Sequence, residues 1–392
     1  MKNMLIVGAR RVACLALALV SLVVGAQKPS AEDPARTSGA ATAVTRGAAA
    51  PIAASAASAA VPPARRWAAV GKVYGRVRAG DLGVVINTDD PYSVQVGEYY
   101  IKARGIDPAQ VLRVAMPVKS VLSRSEFDDL AAKVEAFYGN RVQALALAWR
   151  APYAVECNSI TGALTMGFDA QLCKQTCAAS RASSYFGSGS SQPFKDHGKR
   201  LSMLLAARDA TQAQALIDRG VKADGTLGLK GAPAVNVHFV TTSDALRSRR
   251  QILFPPEGRV PSLGLDVHLD QTDALVGAER VLMYLTGRER VDGLSTLEFV
   301  PGALADHLTS FGGMLDNPHG QMSALAWIDA GATATYGTTS EPCAHLQKFP
   351  HPQALLLFYA GGASAIEAYW KSVQWPQQGL FIGEPLAAPF AR

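Results

Sequence analysis

The sequence predicts an α/β fold, a three-layer sandwich built on a mostly parallel sheet. Two observations lead there. Short apolar runs rich in β-branched residues alternate with stretches of helical spacing, and strand–helix–strand alternation produces a parallel sheet with crossover helices. The runs are apolar throughout rather than at every second residue, as in strands buried on both faces. The folded part begins near Trp67 and ends at Arg392, some 320 residues. That length suits one large α/β domain or two small ones.

Leu82-Gly-Val-Val-Ile-Asn87 is the first such run. Asp89-Asp90-Pro91 makes a turn. From residue 93 to 104 the apolar residues Val94, Val96, Tyr99, Tyr100 and Ala103 recur at helical spacing, and Gly105 sits just past the end, where a helix stop belongs. Residues 111–116 form a second strand. Ser125 can cap a helix through Phe137, with Glu126, Asp128 and Asp129 in the first turn, where the helix dipole favours acids. Residues 144–149 form a third strand.

Residues 151–200 break the rhythm with three cysteines and a Ser/Gly-rich stretch from Ser180 to Ser191. They read as a long insertion near a strand end, where α/β folds build sites. The rhythm then resumes. Residues 201–206, 235–241, 281–286, 297–304, 332–338 and 380–382 read as strands. Residues 210–219 read as a helix closed by Gly220, and residues 364–372 as another. No internal repeat is evident.

The N-terminus carries an export signal. Lys2, Arg10 and Arg11 precede the apolar run Val12 to Val24, and Val24-Gly25-Ala26 offers small residues for cleavage. The run is 13 residues, short of the ~20 that a membrane span needs. An uncleaved anchor is the alternative. Arg10-Arg11 also fits twin-arginine export. Residues 27–66 are Ala, Pro, Ser and Thr with almost no large apolar residues, so they read as a disordered tether. The expected location is the periplasm or the exterior, with no membrane segment after cleavage. Loss of the leader's three cations takes the formal charge from +6 to about +3 on roughly 366 residues, too little for a nucleic-acid footprint.

Four cysteines lie beyond the leader: Cys157, Cys173, Cys177 and Cys343. An even number in an exported chain favours disulfides, and four allow three pairings. The expected pairs are Cys173–Cys177 as a local loop and Cys157–Cys343. A reactive Cys343 is the rival. A zinc site is a third option, though Cys173 and Cys177 lack a second close pair.

Chemistry concentrates between Gly302 and Pro352, which hold Asp306, His307, His319, Glu341, Cys343, His345 and His351, including four of the seven histidines. Residues past the carboxyl ends of parallel strands line the usual ligand crevice. His307 is placed to be a base, Cys343 a thiolate, and Asp306 or Glu341 the orienting carboxylate. Against this, Cys343 fits half of a disulfide, and Asp306-His307 fits a helix start whose neighbours do not face one another. Asn87, Asp89 and Asp90 follow the first strand and could hold a ligand, although turn chemistry alone explains Asp-Asp-Pro. Trp370 and Trp375 are either core or a binding lip. A metal-dependent hydrolase built on Asp89, Asp306 and nearby histidines rests on composition only, and no cofactor is expected. The sequence has no phosphate-binding loop, no dinucleotide fingerprint after the first strand and no Gly-x-Ser-x-Gly elbow.

Several long motifs resemble one family: Asn87-Thr-Asp-Asp-Pro-Tyr-Ser-Val94, Tyr99-Tyr-Ile-Lys-Ala-Arg-Gly105, Ala144-Leu-Ala-Leu-Ala-Trp149, Pro301 to Gly313, Tyr336-Gly-Thr-Thr-Ser-Glu-Pro-Cys343 and Tyr369 to Phe390. The family is an uncharacterised exported one of bacteria that carry the exosortase protein-sorting system. The resemblance implies an association with exosortase sorting and surface polysaccharide export, and no established activity. The C-terminus lacks the Pro-Glu-Pro motif, helix and basic cluster of a sorted cargo.

The strand order, Gly331-Ala-Thr-Ala-Thr-Tyr-Gly337 and Gly383-Glu-Pro-Leu386 also resemble gingipain-type cysteine peptidases, which implies a caspase-hemoglobinase fold. That group ends one strand in His-Gly and the next in Ala-Cys. The matching ends here read Leu285-Thr286-Gly287 and Gly302-Ala-Leu-Ala-Asp306, without either residue. The expected function is therefore a non-catalytic exported accessory protein that binds an exported polypeptide or polysaccharide. The alternative is a periplasmic cysteine peptidase or transpeptidase with a displaced dyad.

Overall fold

The computed structural model describes residues 65–316 and 319–392. They belong to one compact unit, Pro62–Arg392. The predicted leader, and all but the last two residues of the predicted tether, lie outside the described residues.

The first half alternates as the sequence expects. Strand β1 (Leu82–Asn87) leads into helix α1 (Pro91–Arg104), then β2 (Val111–Val114), the short β3 (Val121–Leu122), α2 (Arg124–Tyr138) and β4 (Ala144–Leu147). Helix α1 starts two residues before the predicted spacing because Asp90 caps it, accepting from the Tyr92 amide. Gly105 closes it in the left-handed conformation, φ 62°. The cap of α2 is Ser123 rather than Ser125, since Glu126 sits three residues beyond Ser123 and completes a capping box.

The insertion folds into β5 (Ala154–Val155), β6 (Asn158–Ser159) and the short helices α3 (Ile160–Met166), α4 (Ala170–Lys174) and α5 (Pro193–His197). Strands β3, β5 and β6 make a small sheet of their own. The chain then returns through β7 (Leu201–Leu204), α6 (Ala210–Ala223), β8 (Val235–Thr241), β9 (Gly258–Val260), β10 (Leu265–Gln271), β11 (Val281–Thr286), β12 (Phe299–His307), α7 (Leu325–Asp329), β13 (Ala334–Thr338), α8 (Pro352–Ala360), α9 (Ala365–Ser372) and β14 (Gly379–Gly383).

Eleven strands form the main sheet in the order β2-β1-β4-β7-β14-β13-β12-β11-β8-β10-β9. Strands β2, β1, β4 and β7 are mutually parallel, as are β13, β12, β11, β8 and β10. Strand β14 joins the two sets. It runs antiparallel to β13 and meets β7 at one parallel bridge, Ile382 to Leu204.

Helices cover both faces. A Cβ on Gly97 of α1 would lie 2.5 Å from Ile86, and one on Gly83 would lie 2.4 Å from the Tyr138 ring of α2. Residues 83 and 86 point to opposite sides of β1, so α1 and α2 do too. The predicted α/β sandwich with a mostly parallel sheet is the observed architecture.

Three differences have physical causes. Gly220 does not end α6, which continues to Ala223. A Cβ on Gly220 would lie 2.4 Å from the Glu384 carboxylate. This glycine makes room for a buried acid that accepts from Tyr100 Oη at 2.7 Å and pairs with Arg104. Strand β10 (LDVHLDQ) alternates apolar and polar residues and carries two aspartates, so it lacks a continuous apolar run such as that of β1 or β11. Helix α8 (PQALLLFYA) is nearly all apolar and buried, and shows no helical stripe.

Candidate functional site

The predicted catalytic residues do not converge. Asp306 and His307 are the last two residues of β12, not a helix start. Successive strand residues point to opposite faces, so neither can orient the other. Asp306 is fully buried and pairs with Arg250 at 2.6 Å, both side chains almost sealed from solvent. Burial raises the Asp306 carboxyl above its ordinary value, against the pull of the Arg250 guanidinium.

His307 packs on the other side of the sheet. Trp327 Nε1–H donates to its Nδ1 at 2.9 Å, and its Nε2 lies 3.1 Å from the Met322 carbonyl. Both nitrogens are therefore engaged, and Nε2 carries the proton. Burial is the main cause that lowers its pKa from 6.5 to about 3.

This depressed value has a pH consequence. The folded protein keeps His307 neutral where the unfolded chain protonates it, so the unfolded state binds more protons between about 3 and 6.5. Stability is full above that window and falls as pH drops through it. At roughly 1.4 kcal/mol per unit, acidification from pH 7 to about pH 5 costs about 2 kcal/mol. His307→Gln keeps an acceptor for Trp327 and a donor for Met322. Denaturant midpoints at the two pH values should show this loss in the parent and little of it in His307→Gln. An equal loss in both would refute the assignment.

Cys343 is disulfide-bonded to Cys177, and Cys157 to Cys173, with Cα separations of 5.3 and 5.1 Å. The expectation of two disulfides holds, but the expected pairs Cys173–Cys177 and Cys157–Cys343 do not. The short helix α4 holds Cys173 beside Cys157, while Cys177 lies past its end, next to the loop after β13. Bonded in this way, Cys343 offers no thiolate. Glu341 Oε1 accepts from the Cys343 amide at 2.7 Å, a bond within that loop.

The other histidines also disperse. His319 stacks on Phe311, His345 meets Trp375 edge-on, and His351 caps α8. Among the described residues no group of three or more His, Cys, Asp or Glu side chains is placed to hold a metal ion.

The binding candidates are mostly structural. Asn87 is buried and stitches the ends of β1 and β2, donating to the Met116 carbonyl at 3.0 Å and accepting from its amide at 3.1 Å. Asp90 caps α1, and Asp89 is exposed at the turn. Trp370 is core rather than lip: it is wholly buried, stacks on Phe381 at 4.1 Å and donates to the Ser202 carbonyl. Trp375 is half-buried.

What sequence reasoning missed is a polar crevice at the β8–β11 junction. The chain leaves β8 toward β10 on one side and leaves β11 toward β12 on the other, so strand order reverses there. Open α/β sheets hold ligands at such a switch point, past the carboxyl ends of the strands. A cavity of about 530 Å³ lies there, lined by Ser243 and Asp244 after β8, Arg288, Glu289, Arg290 and Asp292 after β11, and Gly320.

Its polar groups hold one another in place. Ser243 donates to Asp273 through both its amide and its Oγ, each at 2.8 Å, and Arg288 Nη1 reaches the same carboxylate at 3.0 Å. The Ser243 amide is the first cause that holds the Asp273 carboxyl below its ordinary value. Arg247 pairs with Asp244 at 2.7 Å. Partial burial would raise the Asp244 carboxyl, but the Arg247 amide and guanidinium outweigh it and hold it low. Arg290 donates to the Gly320 carbonyl. The lining is guanidinium, carboxylate, one serine and one glycine, without cysteine or histidine. The signal that could have found it is the cluster Arg288-Glu-Arg-Val-Asp292 directly after a strand.

The ends of β11 and β12 are joined by a third residue. Arg250 Nη2 donates to the Thr286 carbonyl at the end of β11, at 2.7 Å, and pairs with Asp306 near the end of β12. A buried ion pair thus bridges the two strand ends.

No family model matches the sequence. No curated protein matches it. Among solved structures, the chain is similar to the Arg-specific cysteine proteinase gingipain R, with 12% identity, 80% of each chain covered and a TM-score of 0.39.

Proposed function

We propose that this protein is an exported, non-catalytic relative of caspase-like peptidases that binds a hydroxyl-rich ligand in the β8–β11 crevice. One observation carries the reading: the strand ends where a peptidase would place its base and nucleophile are bridged by the buried Arg250–Asp306 pair. Substrate cannot reach groups so enclosed. The four described cysteines all lie in disulfides, which fits an oxidising compartment. Among the described residues no helix is long and apolar enough to cross a membrane. The sequence resemblance adds the setting, an exosortase-type sorting or surface polysaccharide export system.

Planar guanidinium and carboxylate groups on strand ends suit the hydroxyls of an exported polysaccharide, because each can make paired, directed hydrogen bonds. Affinity electrophoresis through gels containing the exported polysaccharide tests this. The parent protein should be retarded, and Arg288→Ala with Arg290→Ala should weaken retention about tenfold, on the order of one charged hydrogen bond. Equal migration with and without polysaccharide would dismiss the ligand class. Peptide cleavage that stops on thiol alkylation would dismiss the non-catalytic reading and restore the cysteine peptidase alternative.

A further inference from the structure

Between β8 and β9 the chain makes a 3-10 helix, Arg247–Leu253, capped by Leu246. Such a helix has three residues per turn, so Leu246, Arg249 and Ile252 share one face. That face is outward: Leu246 is 61% exposed and Ile252 73% exposed, and Arg249 is exposed beside them. The inner positions Ser248 and Arg250 are buried. Arg247 and Arg250 are tied to Asp244 and Asp306, which leaves Arg249 as the outward cation of the helix.

A second segment is fixed alongside. Arg65 Nη1 donates to the Gln251 carbonyl at 2.6 Å, and the Ala68 amide donates to Gln353, whose side chain donates to the Leu253 carbonyl. Arg65, Arg66 and Trp67 are thereby held next to the helix, all three exposed. From Ala245 to Pro256 the sequence contains no Asp or Glu.

We propose that this ridge docks the folded unit on an anionic lipid bilayer. Two aliphatic side chains, Leu246 and Ile252, project from the outer face of the helix. Trp belongs at the membrane–water interface, and Arg residues around apolar tips match anionic headgroups. This proposal is independent of what the crevice binds. Single exposed leucines are ordinary on protein surfaces. Here Leu246, Arg249 and Ile252 share one helix face, and the segment carrying Arg65, Arg66 and Trp67 is fastened at the Gln251–Leu253 end of the same helix.

The test is co-sedimentation of the full chain with vesicles of phosphatidylglycerol mixed with phosphatidylcholine, against phosphatidylcholine alone. The protein should sediment with the anionic vesicles, and less so as salt screens the cations. Leu246→Ser with Ile252→Ser should weaken this about tenfold, given the apolar area withdrawn. Arg65→Gln, Arg66→Gln and Arg249→Gln together should abolish the preference for anionic vesicles. Whatever the first 64 residues contribute is common to every variant, and an unchanged melting temperature shows that the variants fold. Equal sedimentation of parent and Leu246→Ser/Ile252→Ser would overturn the proposal. So would failure of the parent to bind anionic vesicles at low salt, including the case where the same ridge captures a protein partner instead.

Discussion

Replacing Cys177 and Cys343 by alanine is expected to lower the unfolding free energy by about 5 kcal/mol, from the entropy of the loop they close. Their sequence separation is 166 residues, whereas Cys157 and Cys173 are 16 apart. Because the constraint on the unfolded chain grows with the logarithm of loop length, the shorter loop is worth about 3 kcal/mol. The long-range bond also fastens the insertion to the loop after β13, where Cys343 and Ala344 are both left-handed, φ 57° and 51°. Two direct contacts run parallel to it: Lys348 Nζ donates to the Thr176 carbonyl, and Ser340 Oγ to the Cys157 carbonyl, each at 2.6 Å. Guanidinium denaturation of the two double variants compares the effects directly. A smaller loss for the Cys177/Cys343 pair than for the Cys157/Cys173 pair would contradict the connectivity.

Arg250→Met should cost about 3 to 5 kcal/mol, because it leaves the Asp306 carboxylate buried without its partner. The double variant Arg250→Met/Asp306→Leu should recover most of that, since two apolar side chains can replace a buried ion pair at little cost. The deficit of Arg250→Met should depend on pH. Asp306 already titrates above its ordinary value of 3.8 through burial, opposed by Arg250. Without the guanidinium its folded-state value rises further. The folded variant then holds a proton that the unfolded chain has released, so its stability falls as pH rises above about 4 and the deficit shrinks in acid. A pH-independent deficit would mean that Arg250 acts through packing alone.

Much of the fold was legible because local signals agreed. Leu82–Asn87 and Val281–Thr286 are buried, largely apolar runs and are strands with those bounds, and Val235–Thr241 is a strand with the predicted bounds despite Asn236 and His238. Gly105 stops α1 because it has the left-handed backbone that the position requires. Gly220 carries no such signal, since its reason is Glu384, 164 residues away. The candidate site was less legible. Asp306 and His307 were rightly noticed as unusual, but their partners, Arg250 and Trp327, come from other elements. Pleat direction separates the two, and sequence spacing alone cannot show it when helix and strand are both open. The disulfide pairing failed for a related reason. The local Cys173–Cys177 loop is short in sequence, yet helix α4 and the β13 loop decide which sulfurs meet. The crevice residues Arg288, Arg290 and Asp292 draw no attention until the sheet order places them at a reversal.

The proposed non-catalytic reading rests on the bonded thiols, Cys157 with Cys173 and Cys177 with Cys343, and on the buried Arg250–Asp306 pair that joins the ends of β11 and β12. The most direct measurement is the thiol state of the protein purified from its own compartment without reductant, by alkylation, digestion and mass spectrometry. The structure predicts two cross-linked peptide pairs, Cys157 with Cys173 and Cys177 with Cys343, and no alkylation at these four positions. Rapid alkylation of Cys343 near neutral pH, with the others protected, would reveal an activated thiolate and contradict the account.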